Sequence, residues 1–355
     1  MPDPAPPAAG SAADAPDLVT LSAGGARVEI APALGGKITR LVLAGRDWLW
    51  TNDQLARVAP AAAVAADDGA SYVATADTGG YDECLPTVAA CTIDAAGRGP
   101  VALPDHGELW SQDAPTERIP ADDGAAAAVT RWTGRRLPYA FSRAITVDTA
   151  GDVRMAYALE SRGDAPLPFL WSAHPLLPFT PDTRLDLPVA ARVRVWSQHN
   201  LELGGEGAEH RWPVLRVGGA RATPFGPREV DFTRPALAPR RLGDGGRADY
   251  TCKLFLDLPR AAAGRRVRLG VEQQGARLEV EVDPAEVPHL GLWLNHGGGA
   301  GVPGARPYFT LGFEPCIGAP DALDAAGPWN AAQWLAPGET RRWTLLWRGR
   351  AAPVS

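Results

Sequence analysis

Glycine and proline recur so often along this chain that long helices have little room to form. Among its 355 residues are 39 glycines and 34 prolines, about one residue in five, spread throughout. Proline removes a backbone donor, and both residues are costly inside a helix. Between these breakers lie short runs that alternate apolar and polar residues: 26–30, 153–159, 193–196, 267–269, 277–282 and 342–347. Period-two alternation bounded by turn residues is the pattern of a half-buried strand. No 3.6-residue periodicity runs longer than about ten residues. Alanine runs at 60–66 and 125–128 are candidates for short helices, although Pro60 and Gly124 interrupt them. Many short strands separated by turns predict an all-β fold, a large antiparallel sandwich.

At about 150 residues per domain the length suggests two or three domains, but large β folds exceed that figure as one unit. No internal repeat and no shift in composition marks a linker. The expectation is a Pro- and Ala-rich disordered tail over residues 1–16 and one domain over residues 17–355. The formal net charge of −6 argues against a nucleic-acid or anionic-membrane partner, since both require a basic face. No run of about 20 apolar residues predicts a membrane span. The segment MPDPAPPAAGSAADAPD lacks the basic start and apolar run of a secretion signal, so the expected location is the cytoplasm. Cys84, Cys91, Cys252 and Cys316 form no CxxC pair, which speaks against a zinc site or a disulfide framework.

Five segments carry groups suited to chemistry. His106 lies in LPDHGELW, where the following glycine permits close backbone approach to a ligand. His174 is the single titratable group in the apolar run FLWSAHPLLPF, where burial shifts a pKa in ways useful to acid–base work. The plainer alternative for both is a buried ring bonded to backbone. Glu314 follows the apolar run 308–313, and Pro315 is expected to stop that strand. Carboxylates are seldom buried unless paired or functional; the alternative is a strand-end glutamate facing water. In TGGYDECLPTV, Asp82 and Glu83 could accept hydrogen bonds from sugar hydroxyls, or form a polar turn. In LGLWLNHGGG, Trp293 and Asn295 suit a pyranose ring, apolar on its faces and polar at its edge. The glycines that follow lack the Lys-Ser/Thr of a phosphate loop. Twelve tryptophans fit a carbohydrate binder and a large sandwich core equally.

HGELW, SAHPLLPF and GFEPCIGAPDAL stand in the order and setting of the aldose 1-epimerase, or galactose mutarotase-like, family. The opening VEIAPALGGKITRLVLAGRDWLW also resembles that family's first strands, and the similarity spans roughly residues 26 to 347. The resemblance implies a β-supersandwich with a cleft on its concave side. It implies Glu314 as the base at the anomeric hydroxyl, His174 as the acid at the ring oxygen, and His106 as a residue that places the sugar. Such paired acid–base chemistry needs no metal or organic cofactor. The implied function is aldose 1-epimerase, an isomerase interconverting the anomers of a monosaccharide or sugar-derived molecule, as a monomer or homodimer. The alternatives are a non-catalytic carbohydrate-binding protein on the same fold and a hexose-6-phosphate 1-epimerase. The chain departs from the family in two places. TGGYDECLP stands where the galactose mutarotases carry Asn-Arg, and only Asp249 and Lys253 are near the position of their sugar-binding Asp. A phosphosugar would require cations in the cleft, for which Arg40, Arg135, Arg143 and Lys253 are the candidates.

Overall fold

The computed structural model of the protein describes residues 17–55, 71–95, 99–218, 228–237, 249–260, 264–299 and 304–351. The expected tail over residues 1–16 and the alanine run at 60–66 lie outside the described residues. Among the described residues, strands assemble into a 13-stranded sheet and an 8-stranded sheet, with two small two-stranded ribbons. Neighbouring strands pair antiparallel. All six alternating runs fall within strands. The alanine run at 125–128 does not form a helix. It opens the strand Ala126–Thr133, which pairs along its length with Tyr139–Val147. Sheet pairing overrides alanine's helical preference, which is worth less than 1 kcal/mol per residue.

The smaller sheet turns one face to the core and one to solvent. In its strand Tyr139–Val147 every second residue is buried, and Val153–Ser161 repeats the pattern. The middle of the larger sheet is covered on both faces. There the strands Trp171–Pro178, Phe309–Ile317, His289–His296 and Tyr250–Asp257 lie side by side. One face sends Trp171, Ala173 and Leu177, then Leu311, Phe313 and Ile317, then Leu290, Leu292 and Leu294 into the apolar core shared with the smaller sheet. The intervening residues point the other way, because successive side chains on a strand alternate faces.

Pro315 does not end its strand, which continues to Ile317 and places Glu314 in its interior, 1% exposed. Proline is tolerated because the ladder to the Trp171–Pro178 strand opens between the pairs Ser172–Cys316 and Leu176–Gly312. That gap holds Pro175 and Pro315, neither of which has an N–H to donate. His174 and Glu314 sit in the same gap.

Between the sheets lies a polar cluster. Glu83 accepts from Arg143 Nη1 at 3.0 Å, Tyr157 OH at 3.2 Å and Trp171 Nε1 at 2.9 Å, while Arg143 Nη2 donates to the Gly36 carbonyl at 2.6 Å. Burial pushes the Glu83 carboxyl up to about 7, with Arg143 and the hydrogen bonds pulling against it. A carboxyl whose folded pKa exceeds its ordinary 4.5 contributes stability that is full below 4.5 and lost as pH rises through about 7. Removing the guanidinium raises the folded pKa further. Arg143→Met is therefore expected to cost about 3–5 kcal/mol at about pH 8 and clearly less at about pH 5, measured by urea unfolding. Equal costs at the two pH values would contradict an uncompensated Glu83 charge.

Candidate active site

The second face of the larger sheet forms the floor of a cavity of about 320 Å³. Register decides which side chains meet there. Lys253 stands opposite Trp293 and Ser197, Thr251 opposite Asn295, and Asn295 opposite Thr310. All of these line the cavity, together with His174, Leu176 and Glu314. Glycine clears the space around Glu314. A Cβ on Gly312 would lie 2.4 Å from Glu314 Oε1, and one on Gly291 would lie 3.3 Å from Oε2.

Glu314 uses its two oxygens differently. Oε2 accepts from Lys253 Nζ and, at 3.4 Å, from Ser172 Oγ. Oε1 has no hydrogen-bond partner among the described residues and lies 3.9 Å from His174 Nε2. Lys253 also faces Asp321 Oδ1 at 3.2 Å. Burial raises the Glu314 carboxyl pKa; Lys253 opposes the rise and Asp321 adds to it. Lys253 in turn is held well above its ordinary range, because the attraction of Asp321 and Glu314 outweighs its burial.

The cavity wall comes from segments outside the sheet. In the loop before Leu109, His106 adopts φ +59°, a left-handed conformation uncommon for a residue with a side chain, and Gly107 follows at +69°. A Cβ at Gly107 would strike the Leu85 backbone at 2.3 Å, so the sharp turn and the close approach both require glycine there. His106 Nδ1 donates to Asp105 Oδ1 at 2.9 Å, which leaves Nε2 for other partners. The Tyr72 ring, on the short helix Tyr72–Thr75, stacks on His106 at 4.1 Å, and the His106 and His174 rings cross at right angles 5.0 Å apart.

The two imidazoles titrate in opposite directions. Burial disfavours charge on His106, but the bond and charge of Asp105, with Asp77 and Asp321, prevail and raise its pKa. Burial, then the charges of His106, Lys253 and Lys37, push His174 well below 6.5. Of the two rings His106 is therefore the more readily protonated and His174 the more readily neutral.

His106, His174 and Glu314 line one cavity, as do Trp293, Asn295 and Lys253. Asn295 has a further role: its amide clamps Gly299, with Nδ2 donating to the carbonyl at 3.2 Å and Oδ1 accepting from the N–H at 3.1 Å. Asp82 and Glu83 are not in the lining. They are neighbours on the strand Tyr81–Cys84 and therefore point to opposite faces. Glu83 enters the inter-sheet cluster. Asp82 lies behind the wall, bonded to Lys37 Nζ and Tyr72 OH, and so fixes the ring that backs His106. Arg40 pairs with Asp47 on the surface, Arg143 is in the core, and no arginine lines the cavity among the described residues. Asp249 is also outside the lining.

Sequence reading missed Tyr72, Asp77, Tyr308 and Asp321, all of which line the cavity. Asp321 had a signal in the P-D step after Glu314; the others are ordinary loop or strand-end residues in sequence. Trp48, Trp171, Trp343 and Trp347 are enclosed in the core, whereas Trp293 faces the cavity.

No family model and no curated protein sequence matches the chain. Solved structures do. The Slr1438 protein from Synechocystis sp. PCC 6803 superposes with a TM-score of 0.63 at 16% identity, covering 96% of this chain and 97% of that one. A galactose mutarotase-like protein from Clostridium acetobutylicum gives 0.61 at 12% identity, covering 94% and 95%. A galactose mutarotase related enzyme from Lactobacillus acidophilus gives 0.57 at 12% identity, covering 94% and 98%. The chain therefore has the galactose mutarotase-like fold. Most of the similar structures carry aldose 1-epimerase or galactose mutarotase names.

The compensation of Glu314 by Lys253 can be measured directly. Lys253→Met is expected to raise the Glu314 carboxyl pKa further, followed by carbon-13 NMR of labelled glutamate. An unmoved titration would remove Lys253 as the compensating cation.

Proposed function

We propose that this protein is an aldose 1-epimerase acting on an unphosphorylated monosaccharide. The observation that carries the reading is the unpartnered Glu314 Oε1, set 3.9 Å from His174 Nε2 beside the crossed His106 ring. A carboxylate and an imidazole pair on one cavity supply the base and acid that hemiacetal opening needs.

In the first step Glu314 Oε1 takes the proton from the anomeric hydroxyl. The O–H electrons form the C1 carbonyl, the bond from C1 to the ring oxygen breaks, and that oxygen takes a proton from the histidine pair. Rotation about C1–C2 presents the other carbonyl face, and the reverse transfers close the ring. The titration directions refine the roles assigned from sequence. His106, the ring whose pKa is raised, is assigned as the source of the acid proton, given to the ring oxygen directly or through His174. His174, whose pKa burial lowers, relays that proton to the same oxygen. Lys253 opposes the burial-driven rise of the Glu314 pKa and so favours the ionised form that a base requires. No arginine is in the described lining, and its one lysine, Lys253, is already shared between Glu314 and Asp321, which disfavours a sugar phosphate.

The test is polarimetry of freshly dissolved α-aldoses. The protein is expected to hasten the approach to equilibrium rotation, and Glu314→Gln is expected to lower kcat by about 10²–10⁴ while sparing binding, read by the sugar-dependent change in intrinsic tryptophan fluorescence. Binding without any rate effect would identify a carbohydrate-binding protein instead. The profile of kcat/KM against pH is expected to be bell-shaped. Activity falls on the acid side as Glu314 gains a proton, with a midpoint above 4.5, and on the alkaline side as His106 loses one, with a midpoint above 6.5. A midpoint below either value would contradict the assignment.

A further inference from the structure

Pairing the charges around the cavity leaves carboxylates over. Asp77, Asp105, Glu314 and Asp321 all line it, against Lys253 and the His106 ring. His106 is matched by Asp105 at 2.9 Å, and Lys253 is shared between Glu314 and Asp321. Lys37 has its donors on Gly79 O, Tyr72 OH and Asp82, and so is bonded elsewhere.

Asp77 is the carboxylate with no cation bonded to it among the described residues. It is 5% exposed. Its Oδ2 accepts from Tyr308 OH at 3.3 Å, and its buried Oδ1 has no hydrogen-bond partner among the described residues. Burial raises its pKa and the Asp82 charge adds to the rise, while Lys37, His106 and the Gly79 backbone N–H act against it. A buried carboxylate with a vacant oxygen, on the wall of a cavity already rich in negative charge, calls for a donor that also carries positive charge. A sugar hydroxyl would fill the vacant oxygen and leave the charge; an ammonium group would answer both.

We propose that the cavity selects a cationic sugar, an aldose bearing a protonated amine, and that Asp77 is the group that receives the ammonium. An N-acetylated amine, neutral and larger, lacks the matching charge, and an anionic substituent such as a phosphate or carboxylate is repelled.

The inference rests on the reading of this cavity as a sugar site but not on turnover, so it is tested by binding. Isothermal titration calorimetry at about pH 6, where the amine is protonated, would compare galactose and glucose with galactosamine and glucosamine, their N-acetyl forms and their 6-phosphates. The expected result is about tenfold tighter binding of at least one amino sugar than of its parent. The N-acetyl form is expected to bind no better than the parent, and the 6-phosphate more weakly. Asp77→Asn is expected to bring the ratio of amino sugar to parent close to one. Equal or weaker binding of both amino sugars in the unaltered protein would overturn the proposal, as would absence of binding across the panel. A preference that survives Asp77→Asn would overturn the role of Asp77. If that variant does not fold, the ratio of amine to N-acetyl form in the unaltered protein decides alone. Amino-sugar binding without accelerated mutarotation would leave this inference standing and remove the epimerase reading.

Discussion

Glu314 is nearly sealed from solvent in the interior of a strand, and the surroundings of the site answer to that fact. Removing a carboxylate from water costs several kcal/mol unless its charge and lone pairs are met. Lys253 meets the charge from two strands away across the sheet, and Ser172 Oγ on the neighbouring strand lies 3.4 Å from Oε2, its single proton shared with the Ala173 carbonyl at 3.0 Å. Lys253 then brings in Asp321 as its own second partner. The compensation is one-sided: Oε2 is engaged, and Oε1, though buried, has no hydrogen-bond partner among the described residues. A fully satisfied carboxylate would be inert, and a wholly unsatisfied one would be neutral. Partial satisfaction leaves an oxygen that can accept a proton.

The same logic separates the two polar clusters on either side of the larger sheet. Glu83 is enclosed by Arg143, Tyr157 and Trp171, with both oxygens bonded, and is not in the lining of the active-site cavity. It joins the two sheets. Glu314 is buried just as deeply but borders empty space. Burial alone does not distinguish a structural carboxylate from a reactive one; an unfilled bonding position next to a cavity does.

How much of this was legible in sequence follows from the range of the interactions. Strands with one wet face announce themselves by alternation, and all six such runs are strands. Helical propensity misled at 125–128, where pairing with a partner strand decides. His174 and Glu314 stood out because each is a lone titratable group in an apolar run. Their strands bury both faces, so a polar residue there has few mundane explanations. Asp82 and Glu83 looked like a pair because they are adjacent, yet adjacency in a strand is what sends them to opposite sides. Pro315 looked like a terminator because a break in one ladder is invisible without knowing its partner, and here Pro175 faces the same gap. Tyr72, Asp77 and Tyr308 reach the cavity through the meeting of distant segments, which no local pattern encodes.

The floor of the site is assembled from alternate positions on adjacent strands, and its composition is therefore tied to strand register. A slip of one residue in any central strand would exchange faces, turning Leu254 or Phe313 toward the cavity and Lys253 or Glu314 into the apolar core. Misaligned forms would lose the core and the chemistry together, so no populated state could keep a working floor on a faulty sandwich. Under the proposed function, sugar binding at this cavity would be a readout of correct assembly and would favour the properly aligned sheet over its slipped competitors.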